Sequence, residues 1–307
     1  MTEVTSEVLE AVSRAVPVQV DGWVPTVQGA VGQVLGLRGL DGTRYVLKTY
    51  PPHAAAAAAT ESLALDRLRK VPGVPVPAVV LSGRLGGPDP VSYLLTSRLP
   101  GVRWADRRSG LSRAQSWGLI AEVGRLLRRL HQLPGRRFGP LELDGPSWSD
   151  AWQRVDVRCD ELVRQDLRAD GSRELTGRIR RLVDRHRVAF DSSGPPVLCH
   201  NDFNGGNILV TESGDPAVRG VVDLEGASWD DPLWDLAKTR LHVRHHDAAA
   251  AEVLTRAYGV EEQAELQRLD VYEVLHALAE RTWITLDRPP GWRRSVAVLE
   301  SWLVECT

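Results

Sequence analysis

Apolar residues change period several times along this chain, and the changes divide it into regions. Between residues 7 and 16, Val8, Leu9, Val12 and Val16 fall roughly on one side and predict a short amphipathic helix. From Gly29 to Tyr50 the helical period is lost. Glycine-broken apolar stretches (Val31, Val34, Leu35, Leu37) lead through an Asp41-Gly42 turn into Tyr45-Val46-Leu47-Lys48-Thr49-Tyr50, an antiparallel hairpin with Lys48 on its second strand. Residues 54–68 have high helix propensity and end before Pro72-Gly73, with Glu61 on that helix. A strand is predicted at 91–96, and Pro100-Gly101 after Ser97-Arg98-Leu99 marks a hinge at about 96–101. Helical spacing returns at 112–131, 148–168, 172–188, 247–258, 261–286 and 291–305, with no internal repeat and no long disordered linker. The expectation is an α+β protein with a small N-terminal antiparallel-sheet lobe, residues 1–97, and a larger, mainly helical C-terminal lobe, residues 98–307.

Composition narrows the partners. A net charge of −2 over 307 residues gives no general attraction to nucleic acid or to an anionic membrane, and no stretch reaches membrane-spanning length. The N-terminal Met1-Thr2-Glu3-Val4 is acidic and leads to no apolar run. Cys159, Cys199 and Cys306 have no metal-ligand or disulfide spacing, which fits a reducing compartment. A soluble cytoplasmic protein, monomer or homodimer, is therefore expected.

Candidate chemistry concentrates in His200-Asn201-Asp202-Phe203-Asn204-Gly205-Gly206-Asn207, with Asp223 sixteen residues further on. This is the layout of a phosphoryl-transfer site. Asp202 can take the proton of an attacking hydroxyl, and the oxygens of Asn207 and Asp223 suit Mg²⁺ on a triphosphate, because that ion prefers hard oxygen ligands. His200, flanked by Val197, Leu198 and Cys199, reads as a hydrogen-bonded residue bracing a loop.

Lysine occurs only three times, as Lys48, Lys70 and Lys238, so each invites scrutiny. A Lys48–Glu61 pair alone would read as two solvated surface charges. Upstream of the Asp202 motif it reads as a lysine gripping nucleotide phosphates, held by a helix glutamate. Gly29 and Gly32, in Gln28-Gly29-Ala30-Val31-Gly32-Gln33, could let backbone N–H groups approach those phosphates, although the segment matches neither common glycine-rich phosphate motif.

Taken in order, the glycine loop, Lys48, Glu61, the hinge near Ser97, His200-x-Asp202-x4-Asn207 and Asp223 resemble the aminoglycoside phosphotransferase family. Residues 121–131 are similar to its helix after the hinge, and Asp230-Asp231-Pro232-Leu233-Trp234-Asp235-Leu236-Ala237 to its G-D-P-x-x-D-L-A segment. The resemblance implies a two-lobed, protein-kinase-like fold that uses ATP and Mg²⁺ to phosphorylate a small-molecule hydroxyl. It implies Asp202 as base, Asn207 and Asp223 as metal ligands, and Lys48 with Glu61 on phosphate. It also implies adenine against the backbone around Ser97 and Leu99, and Asp235 as a brace of the catalytic loop. Asn201 stands where the family usually has glycine, and Glu225 follows Asp223 where many relatives differ. Cys199-His200-Asn201-Asp202 and Asp223-Leu224-Glu225 are also similar to choline and ethanolamine kinases.

Five acids, Asp223, Glu225, Asp230, Asp231 and Asp235, could draw a cationic acceptor, with Glu225 and Asp230 the two left over for contact once metal and bracing roles are assigned. Trp229 or Trp234 could wall the acceptor. An arginine-rich stretch at 98–137 reads as a solvated face, but lining a cleft it would favour an anionic or neutral acceptor. The leading expectation is an antibiotic acceptor of aminoglycoside, sugar, nucleoside or peptide type. The alternatives are a choline-like or sugar-metabolite kinase and a silent nucleotide-binding regulator. A protein kinase is disfavoured, because H-R-D, D-F-G and A-P-E are all absent.

Overall fold

The computed structural model describes residues 3–20, 32–86, 90–142 and 145–307. The chain separates into two compact units, one formed by Met1–Leu111 with Gly205–Ala227, the other by Ser112–Asn204 with Ser228–Thr307. The loop that carries Asp202 and Asn207 thus passes from one unit to the other between Asn204 and Gly205. Elements are numbered along the chain.

In the first unit, α1 (Glu3–Ala15) precedes β1 (Val18–Val20), and β2 (Gln33–Gly39) and β3 (Arg44–Tyr50) form the expected hairpin. With β4 (Val79–Leu85) and β5 (Val91–Ser97) they make an antiparallel sheet in the order β1-β2-β3-β5-β4. Alternation decides what each face receives. Leu37, Leu47 and Leu95 enter a core with Val8 and Val12 of α1, so Lys48, next to Leu47 on β3, points to the opposite face. There it meets α2 (Ala55–Leu68), whose buried side is Ala58, Glu61, Ala64, Leu65 and Leu68. Burying each large aliphatic in this core contributes roughly 2 kcal/mol. Beyond the sheet come β6 (Val102–Arg103) and the single-turn α3 (Trp104–Arg107). The later hairpin of β9 (Ile208–Val210) and β10 (Val218–Val221) joins this unit because β9 pairs with β6. Gly101 makes that pairing possible. Its φ is +111°, and a Cβ there would lie 2.4 Å from the Val210 carbonyl oxygen.

The second unit is mostly helical. Its α4 (Arg113–Leu130) opens on a capping box in which Ser112 and Gln115 satisfy each other's backbone N–H groups. The strands β7 (Gly139–Pro140), β8 (Val197–Cys199) and β11 (Ser228–Asp230) form a small sheet with β11 in the centre. The helices are α5 (Ala151–Arg168), α6 (Arg173–Arg185), α7 (Pro232–Arg244), α8 (Ala248–Tyr258), α9 (Gln263–Asp287) and α10 (Trp292–Cys306). Residues 271–278 of α9 are buried without interruption, as expected of a central helix.

Sequence periodicity misses α7 and β4. Helix α7 buries Leu233, Trp234, Asp235, Leu236, Ala237, Thr239, Arg240, Leu241 and Val243, so it shows no apolar stripe. Asp231, capping Leu233 N at 2.9 Å, with Pro232 at the first helical position, is the start signal that the pattern hides. Among the described residues, no helix is long and apolar enough to cross a membrane.

Candidate active site

In the first unit, charge gathers around one lysine. Lys48 Nζ lies 2.9 and 2.8 Å from the two oxygens of Glu61 and 2.7 Å from Asp223 Oδ1. Strand β3 presents the lysine, α2 presents the glutamate, and Asp223 follows β10 in a left-handed backbone conformation with φ +69°. An aspartate in that conformation carries some backbone strain. Burial alone would lower the Lys48 pKa, but the carboxylates of Glu61 and Asp223 outweigh it and hold the ammonium above its ordinary range. The Tyr50 hydroxyl also donates to Glu61 Oε2. Burial first, and then the neighbouring carboxylate, raise the phenol, so Tyr50 stays a donor.

Glu61, Asp223 and Glu225 bring one carboxylate oxygen each to within 4.8 Å of one another, a donor set fit for a hard divalent cation. Glu225, which the sequence suggests for the acceptor, stands in this cluster. Asn207 sits just before β9, and its backbone carbonyl accepts from Val222 N at 3.0 Å, which fixes it beside the segment leading to Asp223.

The other nucleotide-side candidates divide. Gly29 lies outside the described residues. Gly32 packs so closely on β3 that a Cβ would lie 1.9 Å from the Thr49 carbonyl oxygen, a steric reason for glycine independent of any phosphate. Ser97 N donates to Ala78 O, Ser97 Oγ accepts from Ala78 N, and Arg98 N donates to Arg44 O. Leu99 N has no hydrogen-bond partner among the described residues.

In the second unit the acid loop is held by its backbone. Asp235 on α7 accepts from His200 N at 2.5 Å and from Asn201 N at 2.6 Å, and its Oδ2 lies 3.3 Å from His131 Nε2. His131, which closes α4, is in turn 2.8 Å from the Tyr258 hydroxyl. His200 is fully buried, and its Nδ1 accepts from Asp202 N at 3.3 Å, which is the bracing role its setting predicts. Asn201 has φ +66°, a conformation that glycine adopts freely and that asparagine tolerates better than most residues. This accounts for asparagine at the family's glycine position, and its side-chain amide donates to Ser228 Oγ at 2.8 Å. Asp202 itself stays open, its side chain 49% exposed, with Oδ1 2.7 Å from Asn204 Nδ2 and 3.5 Å from Lys238 Nζ.

Residues 33–272 match the model of the phosphotransferase enzyme family. The chain belongs to that family. As a member it is a small-molecule kinase. Three solved structures resemble this phosphotransferase throughout. A thermostable mutant of aminoglycoside phosphotransferase APH(4)-Ia, in ternary complex with AMP-PNP and hygromycin B, is 18% identical, with TM-score 0.70 over 99% of this chain and 98% of that one. Aminoglycoside 2'-phosphotransferase-IIIa in complex with GDP is 12% identical, with TM-score 0.72 over 100% of each chain. A proposed fructosamine-3-kinase from Thermobifida fusca YX-ER1 is 17% identical, with TM-score 0.67 over 96% and 98%. At such identities the likeness establishes the protein-kinase-like fold. No curated protein matches the sequence.

Two acceptor candidates are corrected by burial. Asp230 of the phosphotransferase has no exposed surface. Its Oδ2 lies 2.5 Å from Arg158 and 3.3 Å from Arg154, and its Oδ1 accepts from Asp231 N, so it anchors α5 to β11 and is closed to an acceptor. Trp234 is also a core residue, between the Arg158 guanidinium and the His276 ring, each 3.7 Å away. Trp229 remains partly exposed and covers Gly135. Sequence reasoning missed Tyr50, a buried residue with no local signal, and the partnership of Lys238 with Asp202, for which the scarcity of lysine was a clue.

Proposed function

We propose that this phosphotransferase uses Mg²⁺ and ATP to phosphorylate a hydroxyl of a small molecule of antibiotic type. The observation that carries the reading is Asp202, an open carboxylate on a loop whose backbone Asp235 locks in place. An acid held this way can orient a hydroxyl and take its proton as the new O–P bond forms and the γ-phosphorus to β-oxygen bond breaks. The proton then passes to solvent and ADP leaves. Lys48, kept charged by Glu61, binds phosphate oxygens. Asn207 and Asp223, with Glu225 near, would hold a Mg²⁺ ion, which neutralises developing phosphate charge. Leu99 N is suited to an adenine edge. The AMP-PNP and hygromycin B bound in one of the similar structures support a nucleotide and a small-molecule acceptor.

The internal pairing of the acids argues against a highly cationic acceptor. Asp223 pairs with Lys48, Asp230 with Arg154 and Arg158, and Asp231 with Arg268, while Asp235 is spent on backbone N–H groups and His131. A polyamine would find few uncommitted carboxylates, so neutral or anionic sugar, nucleoside or peptide hydroxyls fit better than a polycationic aminoglycoside. The same observation favours a sugar-metabolite kinase as second reading over a choline-type one.

Magnesium-dependent ADP release from ATP tests this across aminoglycosides, peptide and nucleoside antibiotics, choline, ethanolamine, neutral sugars and sugar acids, with Asp202→Asn as control. Stimulation that depends on Asp202 identifies the acceptor class. Silence with nucleotide binding intact would favour a regulator, and silence without nucleotide binding would sink the reading.

A further inference from the structure

Helix α7 contributes more to the acid loop than the brace. Asp235 takes the N–H groups of His200 and Asn201, Thr239 Oγ1 donates to Phe203 O at 2.6 Å, and Lys238 reaches Asp202 between them. Three side chains from one turn of helix thus engage four consecutive loop residues. Positions 235, 238 and 239 share a helix face, as their spacing requires.

Lys238 stands apart from the other strong bases on α7. Arg240 and Arg244 both pair with Glu273, a buried acid. Lys238 instead ends at Oδ1 of an open carboxylate, with both side chains substantially solvated (36% and 49% exposed). Such an exposed pair adds little to stability. Stability is therefore a weak reason for placing one of only three lysines here. Its position does have a chemical consequence. A cation at Oδ1 adds to the Asn204 contact in favouring one direction of the carboxylate, and a misdirected carboxylate lowers the rate.

We propose that Lys238 is a positioning residue for Asp202, fixing the direction of its carboxylate toward the acceptor hydroxyl from the same helix that fixes the loop backbone. This rests on Asp202 acting as the base. Lys238 draws one oxygen, Oδ1, together with Asn204 Nδ2, and so sets the rotation of the whole group. Helix α7 then determines both where the acid stands and which way it faces.

The test compares wild type, Lys238→Met, Lys238→Arg, Asp202→Asn and the Lys238→Met/Asp202→Asn double variant. The first readout is ADP release from Mg-ATP with water as acceptor, alongside AMP-PNP affinity and thermal stability. Lys238→Met should lower kcat about three- to fivefold, leave AMP-PNP affinity and Tm unchanged, and recover in part as Lys238→Arg. In the Asp202→Asn background the same change should have no further effect. The second readout, independent of turnover, is the Asp202 ¹³Cγ resonance at fixed pH, assigned by its loss in Asp202→Asn. It should move in Lys238→Met and stay near its wild-type position in Lys238→Arg. A resonance unmoved in Lys238→Met, or a rate loss that persists in the Asp202→Asn background, overturns the proposal. If Asp202→Asn hydrolyses ATP as fast as wild type, the base assignment fails, and a Lys238 contact still reported by the resonance would be structural, which also overturns it.

Discussion

The two units hold their candidate residues by opposite means. Around Lys48 in the first, Glu61 and Asp223 surround one ammonium and Glu225 stands within metal-sharing distance, so the arrangement rests on side-chain charge with an excess of acid. Around Asp202 in the second, Asp235 grips backbone N–H groups and cations have taken up the nearby acids. Side-chain ion pairs can exchange partners when a dication and a polyphosphate arrive. A backbone brace cannot do so without unfolding the loop. On the proposed function, the Lys48 cluster is built to be rearranged by its ligand and the Asp202 loop to resist rearrangement.

The sharpest way to separate the sides is Asp202→Asn, expected to lower kcat by about 1000-fold with nucleotide affinity nearly unchanged; a parallel loss of affinity would erase the distinction. Next in size is Asp235→Ala, which strips the acceptor from two backbone N–H groups. It should cost about 3 kcal/mol in urea unfolding, and a loss below about 1 kcal/mol would mean that the loop is not held by this brace. Glu61→Gln keeps the shape and removes the charge that holds Lys48, so AMP-PNP titration should show about tenfold weaker binding, roughly 1.4 kcal/mol. Mg²⁺ alone should have the smallest effect. Lys48 already pairs with both Glu61 and Asp223, so the ion without nucleotide should raise Tm by less than about 1 °C, against several degrees with nucleotide present. Equal shifts in both cases would show that the acid cluster is open to metal before nucleotide arrives.

Much of this was readable in the sequence where local chemistry is decisive. The β2–β3 hairpin, helix α2, the capped helix α4 and the later helices follow from period and end signals, because each buries one face. Reading Lys48 with Glu61 as a pair rested on the motif downstream, and the contact exists because β3 and α2 pack face to face. The acceptor residues were not legible. Glu225 and Asp230 are both acids near Asp223 in sequence, yet one joins the Glu61–Asp223 cluster and the other is sealed among arginines.

The sequence by itself determined the order of chemistry-bearing residues, the alternation of strands and the start and stop of amphipathic helices, because these depend on neighbours a few positions apart. Only the tertiary structure decided that residues 205–227 belong with the N-terminal unit, through the β6–β9 pairing. It also decided that α7 is a helix buried nearly all round, which acids are sealed from solvent, and that Lys238 faces Asp202. Those outcomes depend on which distant surfaces exclude water from one another, and no run of adjacent residues records that.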